Sequence, residues 1–182
     1  SYSVSIKADF DLEPNELYTV QLSSPVHAQL GIPSTISTTI VNDDKPPSEY
    51  SINALQTQSQ KEGTGFPTVF RYGISRTGFR FIDGSVSYSV VGTGTNPANA
   101  TDFQNNQLPS GTVSFNNGEV FKQIDIIVTG DNIREEDESF NIILSNSTGN
   151  GIIVTPKVTS IILNDDFCKS GEGDIPCRKC DK

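Results

Sequence analysis

Short runs of alternating apolar and polar residues dominate the chain. Val86-Ser87-Tyr88-Ser89-Val90 alternates cleanly, and Thr112-Val113-Ser114-Phe115 does the same. Further strand-like runs follow at Phe121 to Val128, Phe140 to Leu144 and Val158 to Leu163. A period of two places every second side chain on one face, the signature of a half-buried strand. Asp83-Gly84, Asn117-Gly118 and Gly149-Asn150-Gly151 punctuate these runs, and such pairs favour tight turns. No stretch shows a convincing helical period. About seven short strands separated by turns predict an all-β, immunoglobulin-like antiparallel sandwich.

The pattern also repeats. Residues 1–44 lie over residues 123–166 without a gap, at a constant offset of 122 (Asp9 to Asp131). Glu13 then meets Glu135, Glu16 meets Glu138, Leu22 meets Leu144, and Asn42-Asp43-Asp44 meets Asn164-Asp165-Asp166. Tyr18 pairs with Phe140, Val20 with Ile142 and Val4 with Ile126. An ungapped match across turns implies the same strands joined by loops of equal length. Residues 1–44 are therefore expected to be the closing strands of a partial copy, and 50–166 a complete copy. A Pro-rich linker at 45–49 joins them, and a Cys-containing polar tail spans 167–182. Two or three strands cannot bury both sides of a sandwich, so residues 1–44 should expose apolar surface. The opening residues alternate at once, with no leader-like segment, so the chain is expected to start inside a domain.

Composition narrows the function. Hydrophobic residues make up 34%, with no Trp or Met, which suits a thin two-sheet core. The net charge is −9 and the isoelectric point is near 4.5. Such a surface repels nucleic acid and anionic lipid and favours cations. No apolar run approaches the roughly 20 residues of a spanning helix, so no membrane insertion is expected in this segment. His27 is the single histidine and reads as a surface residue. No catalytic set assembles around it, and Gly92-Thr93-Gly94-Thr95 lacks the helix that a phosphate loop needs. The chain reads as non-enzymatic. Cys168, Cys177 and Cys180 offer three thiols where tetrahedral zinc wants four ligands, and a disulfide with one thiol left over suits an oxidising compartment. Asn99-Ala100-Thr101 and Asn146-Ser147-Thr148 fit the short glycosylation pattern and carry little weight.

The acidic residues gather at turns. Glu62-Gly63, Thr101-Asp102-Phe103, the run Asp131 to Glu138, and Asn164-Asp165-Asp166 all lie between strand-like runs. Loops at one end of a sandwich converge, and calcium takes six to eight oxygens from carboxylates and carbonyls. Asp and Asn also occupy turns for local hydrogen-bonding reasons. Four acidic turns, two of them repeated in the partial copy, favour an ion over ordinary solvated turns.

These motifs resemble a known family. Leu108-Pro109-Ser110-Gly111-Thr112-Val113-Ser114-Phe115, Gly118-Glu119, Asp131 with Glu135 and Glu138-Ser139-Phe140, and Ile162-Leu163-Asn164-Asp165-Asp166 look like the Calx-β domain. Thr95 to Phe103 resembles the version found in large bacterial, particularly cyanobacterial, surface proteins. The resemblance implies a tandem immunoglobulin-like sandwich with Ca2+ at one loop pole. By motif it implies Glu62, Asp102, Asp131, Glu135, Asp165 and Asp166 as ligands, with Asp9, Glu13, Asp43 and Asp44 their counterparts in the partial copy. Gly130, Asn132 and Asn164 stand where strongly binding copies carry aspartate, which implies fewer charges at the ion. The expected role is an adhesion or spacer module of a cell-surface or secreted protein, stiffened by calcium. Its partners would be calcium ions, neighbouring repeats and other surface proteins. The alternatives are a structural or protein-interaction sandwich that binds no metal, and an accessory domain of a secreted enzyme.

Overall fold

The computed structural model describes residues 3–9 and 11–166; the three cysteines lie outside them. The chain divides into two compact units, Ser1–Pro46 and a second that begins at Pro47.

The second unit is a sandwich of nine strands: β3 (Ser48–Ala54), β4 (Ser59–Lys61), β5 (Thr68–Gly78), β6 (Gly84–Thr93), β7 (Ser110–Phe115), β8 (Phe121–Val128), β9 (Glu138–Ser145), β10 (Gly151–Thr155) and β11 (Lys157–Leu163). One sheet runs β10-β3-β5-β8 and the other β4-β11-β9-β6-β7. Two strands exceed the expected seven. The three-residue β4 is too short to leave a pattern, and β10 lies ahead of the expected Val158–Leu163 run, separated by Pro156 from β11, which joins the other sheet. Both additions pair in parallel, β10 with β3 and β4 with β11, where only antiparallel pairing was expected. β3 begins at Ser48, within the stretch 45–49.

Alternation becomes packing directly. In β9, Phe140, Ile142 and Leu144 are buried, while Asn141 and Ile143 are only partly covered. Phe140 lies at the centre of the core. Its ring meets Phe70 at 5.4 Å and Phe103 at 5.4 Å, both edge to face, a geometry that adds to the value of simple burial. Tyr72 is buried beside them, and its hydroxyl shares a hydrogen bond of 2.6 Å with Ser160 Oγ, so the lost water is replaced. Burial pushes the Tyr72 hydroxyl up to about 12.

At the end of the sandwich where β3 starts, Arg76 is fully buried. Its Nε and Nη2 donate to Ser48 Oγ and Nη2 also donates to the Ile82 carbonyl. The guanidinium carbon lies 5.9 Å from the Tyr50 ring centre, a cation–π contact. Arg76 thereby ties the first residue of β3 to the loop after β5. An arginine on a strand gives no advance sign of such burial.

The first unit holds a two-stranded sheet, β1 (Glu16–Gln21) with β2 (Thr35–Ile40). Its register runs from Glu16 opposite Ile40 to Gln21 opposite Thr35. The β9–β11 register includes Glu138 opposite Ile162, the same pair at the 122-residue offset. Leu17 and Ile36 are largely exposed, as are Val4, Ile6 and Leu22.

Phe140→Ala should lower the unfolding free energy of the second unit by about 3–5 kcal/mol. Urea denaturation followed by far-ultraviolet circular dichroism would measure it, and a loss below about 1 kcal/mol would show that the aromatic cluster does not hold the sheets together.

Candidate metal centre

Four separate segments deliver carboxylates to one end of the second unit. The first is the turn after β4. Glu62 is only 5% exposed, and its N–H donates to the Leu163 carbonyl at the end of β11. Gly63 follows with φ of +95°, a conformation that glycine adopts without penalty. Its N–H donates to Asp165 Oδ1 at 3.2 Å, and Thr64 Oγ1 donates to Asp166 Oδ1 at 3.1 Å.

The second segment is a short 3-10 turn, Ala100–Asp102, closed by a capping box. Asn99 Oδ1 accepts from Thr101 N, and Asp102 Oδ2 accepts from Asn99 N. This reciprocal pair holds the loop against the core, and it leaves Asp102 buried with Phe103 behind it.

The third segment is the loop between β8 and β9. Asp131 Oδ1 accepts from Ile133 N, and the Asp131 carbonyl accepts from Gly65 N. Gly130 has a steric role here. A Cβ at this position would lie 1.8 Å from the Gly63 carbonyl oxygen and 2.4 Å from that of Phe66. No aspartate fits there without moving the Gly63–Phe66 turn.

The fourth segment is the run after β11. Asp166 is 5% exposed, and its Oδ2 is buried with no hydrogen-bond partner among the described residues. Asn164 acts as a latch. Its Oδ1 accepts from Glu135 N, its Nδ2 donates to the Asp166 carbonyl, and its N–H donates to Asp137 Oδ1. An aspartate at 164 could not make the bond from Nδ2.

All six expected residues of the complete copy, Glu62, Asp102, Asp131, Glu135, Asp165 and Asp166, therefore occupy this end. A seventh, Glu138, joins them. One carboxylate oxygen from each of Asp102, Glu135 and Glu138 lies within 4.8 Å of the others. Glu138 was not among the expected ligands because it opens β9, where it reads as an ordinary polar position. Its place in the repeat, opposite Glu16, and its spacing of three from Glu135 were the available signals.

The charges disturb one another. Burial pushes the Glu138 carboxyl up to about 8, helped by a hydrogen bond and charge from Asp102, then by Glu135 and Glu62. Burial pushes Glu62 up to about 7, with Glu135, Asp131, Asp166 and Asp165 adding repulsion. Burial, then Asp102, Asp131 and Asp166, raise Glu135. Arg71–Asp125 and Lys122–Glu119 are ion pairs of this unit, and neither involves a carboxylate of the cluster. An all-oxygen, strongly negative set with one buried unpartnered oxygen fits a hard divalent cation.

In the first unit, Asp9, Glu13, Asp43 and Asp44 line one groove together with Glu16. Asp9, Glu16, Asp11 and Asp44 all raise the exposed Glu13 carboxyl, Asp9 and Glu16 most strongly. Asp11 N donates to Asp9 Oδ1, and Asn42 N donates to Asn15 Oδ1. Both bonds repeat those of Ile133 with Asp131 and of Asn164 with Asp137. No counterpart of Glu62 or Asp102 is present in this unit, because those residues belong to the part of the sandwich that the 122-residue match does not include.

A two-sheet sandwich with carboxylates drawn to one loop pole is a β-sandwich module that carries a candidate cation site. The chain belongs to the Calx-beta domain family, whose model matches residues 57–167. A structure titled as the apo-form of the Calx CBD1 domain is 26% identical, covering 66% of this chain and 100% of its own, with a TM-score of 0.52. The CBD12 structure from CALX1.2 is also 26% identical, covering 65% of this chain, with a TM-score of 0.54. This chain spans 46% of that structure's length.

Without metal, the raised carboxyls make stability depend on pH. Glu62 and Glu138 bind protons more tightly when folded, so their protonated forms favour the fold. That contribution is complete below the ordinary glutamate value and is lost as pH rises through about 7 and 8. In chelator, the melting temperature should fall by roughly 3–6 °C between pH 5 and pH 8, after allowance for solvent screening. Glu62→Gln with Glu138→Gln should flatten that slope in differential scanning calorimetry. A melting temperature that rises over this interval would contradict the charge arrangement.

Proposed function

We propose that the second unit is a calcium-binding Calx-β module whose ion joins four chain segments at one pole. The observation that carries this reading is the convergence of carboxylates from four segments, with the buried Asp166 Oδ2 lacking a hydrogen-bond partner among the described residues. Glu62, Asp102, Asp131, Glu135, Glu138, Asp165 and Asp166 would hold the ion. Calcium accepts many oxygens in irregular geometry, whereas magnesium demands a tight octahedron, so a cluster drawn from four loops suits calcium better. A bound divalent cation would replace mutual repulsion with shared attraction.

The module is a non-catalytic binding unit, as domains of this family are. In the parent protein it would act as a spacer or adhesion repeat at a cell surface or outside the cell. The ion would fasten the end of β11 to the Glu62 turn and so stiffen the point where the chain leaves the sandwich. No helix among the described residues is long and apolar enough to cross a membrane.

One observation favours a second reading, a sandwich that needs no metal. Direct bonds from Gly63, Thr64 and Asn164 already tie the loops together. The two readings separate in one measurement. Calcium at a hundredfold excess over its dissociation constant should stabilise the native state by about 2.7 kcal/mol, or roughly 5–15 °C in melting temperature. Asp131→Asn with Asp165→Asn should remove that shift. An identical melting temperature in chelator and in 10 mM calcium, a concentration of about the millimolar range where weak extracellular sites fill, would leave the metal-free reading standing.

A further inference from the structure

The two parallel pairings determine how the second unit carries tension. β3 starts at Ser48 opposite Gly78, whereas β5 starts at the other end, with Thr68 opposite Val128 and close to Asp131. The chain therefore enters the sandwich at the end away from the acidic pole and leaves it, after β11, at that pole. Between these points two segments run side by side in the same direction. The leading one is β3 with β4, the closing one β10 with β11, and each passes from one sheet to the other. In the first sheet Gly151, Ile152 and Ile153 lie opposite Ser48, Glu49 and Tyr50. In the second, Ile161, Ile162 and Leu163 lie opposite Ser59, Gln60 and Lys61.

Pulling the chain outward on both sides of this unit draws the leading segment one way and the closing segment the other. The force runs along the strands, across hydrogen bonds that a parallel pair spaces evenly. All bonds of the pair then stretch together, whereas a pair peeled from one end loses them one at a time. Both points where tension arrives fall on a parallel pair. At the entry, Ser48 N donates to the Asn150 carbonyl at 2.9 Å, and the buried Arg76 donates to Ser48 Oγ from within the core. At the exit, Glu62 N donates to the Leu163 carbonyl at 3.1 Å, and Ile161 N donates to the Gln58 carbonyl at 2.8 Å. Burying an arginine is costly, and this one braces the residue on which the pull first acts.

We propose that the second unit is a tension-resisting link, locked by shear across the β3–β10 and β4–β11 pairs. The lock is made of hydrogen bonds and does not rest on the calcium reading. An ion at the acidic pole would reinforce the exit alone.

Single-molecule force measurements in chelator test the lock. One chain carries Asn146→Cys, at an exposed turn residue, together with Cys168→Ser, Cys177→Ser and Cys180→Ser, so that a single thiol takes a handle. Held by its two termini, this chain shears β3 against β10, and rupture of the second unit releases roughly 400 Å of extended chain. Held by its N-terminus and residue 146, it peels the same pair from the end where both strands start. The first geometry should need at least about twice the force of the second, because forced unfolding follows the barrier and not the equilibrium stability, which is common to both. β10 is an edge strand, and edge strands accommodate proline. Successive N–H groups of a strand point to opposite sides, so only one of Ile152→Pro and Ile153→Pro removes a donor aimed at β3. That variant should lose about half of the end-to-end force, while its neighbour keeps the parental value, with circular dichroism confirming that both are folded. Should proline unfold either variant, the comparison of geometries decides alone. Equal force in the two geometries would overturn the proposal, as would parental force in both folded proline variants. A difference between geometries that appears in calcium but not in chelator would overturn the hydrogen-bonded lock and assign the resistance to the ion.

Discussion

Phe103 and Phe140 meet edge to face at 5.4 Å, and this apolar contact decides where the charges go. Asp102 immediately precedes Phe103, and Glu138 lies two residues before Phe140. Driving the two rings into one core leaves the two carboxylates nowhere to sit but beside each other. Neither the 3-10 turn nor the start of β9 could relax away without exposing an aromatic ring, and exposing such a ring costs about 1.5–3 kcal/mol. The hydrophobic interaction thus assembles a cluster that electrostatics alone would scatter.

The same logic explains how the pole tolerates its charge. The segments are anchored by hydrogen bonds from backbone and neutral side-chain groups rather than by attraction between the carboxylates. The capping box fixes Asp102, the Leu163 carbonyl fixes the Glu62 turn, and the Asn164 latch fixes the loop that carries Glu135. Gly130 lets the Gly63–Phe66 turn approach closely enough for all of this. Burial first, and repulsion after it, show up as raised proton affinity at Glu62, Glu135 and Glu138. A site prepared in this way would lose little order on taking up a cation, because its segments are held beforehand.

The parts legible in sequence were those carried by local pattern. Phe121 to Val128 is the extent of β8, because Ile124, Ile126 and Val128 recur at every second position and turns bound the run on both sides. Strands β4 and β10 were not legible. Three residues hold no period, and the change of sheet at Pro156 depends on partners far away in sequence. At the site, acidic turns could be recognised by composition, whereas Glu138 sits on a strand and takes its role only from the Phe103–Phe140 contact. Gly130 and Asn164 read as missing charges. In the fold one is a steric necessity and the other a hydrogen-bond donor, and both facts require knowing which segment lies across from them. Arg76 is the extreme case, since nothing in its neighbours marks a fully buried cation.

The first unit separates what a segment can form alone from what its partners impose. Its residues match those of β8, β9, β10 and β11, yet only the counterparts of β9 and β11 are strands. Those two pair with each other and so satisfy half of their backbone groups within the hairpin. β8 pairs with β5, and β10 with β3. Residues 3–9 and 29–33 have no such neighbour within their own unit, and they form no strand. Sequence alone is thus sufficient for the hairpin, its register and its turn hydrogen bonds. The counterparts of β8 and β10 become strands only in the second unit, where β5 and β3 are present to pair with them.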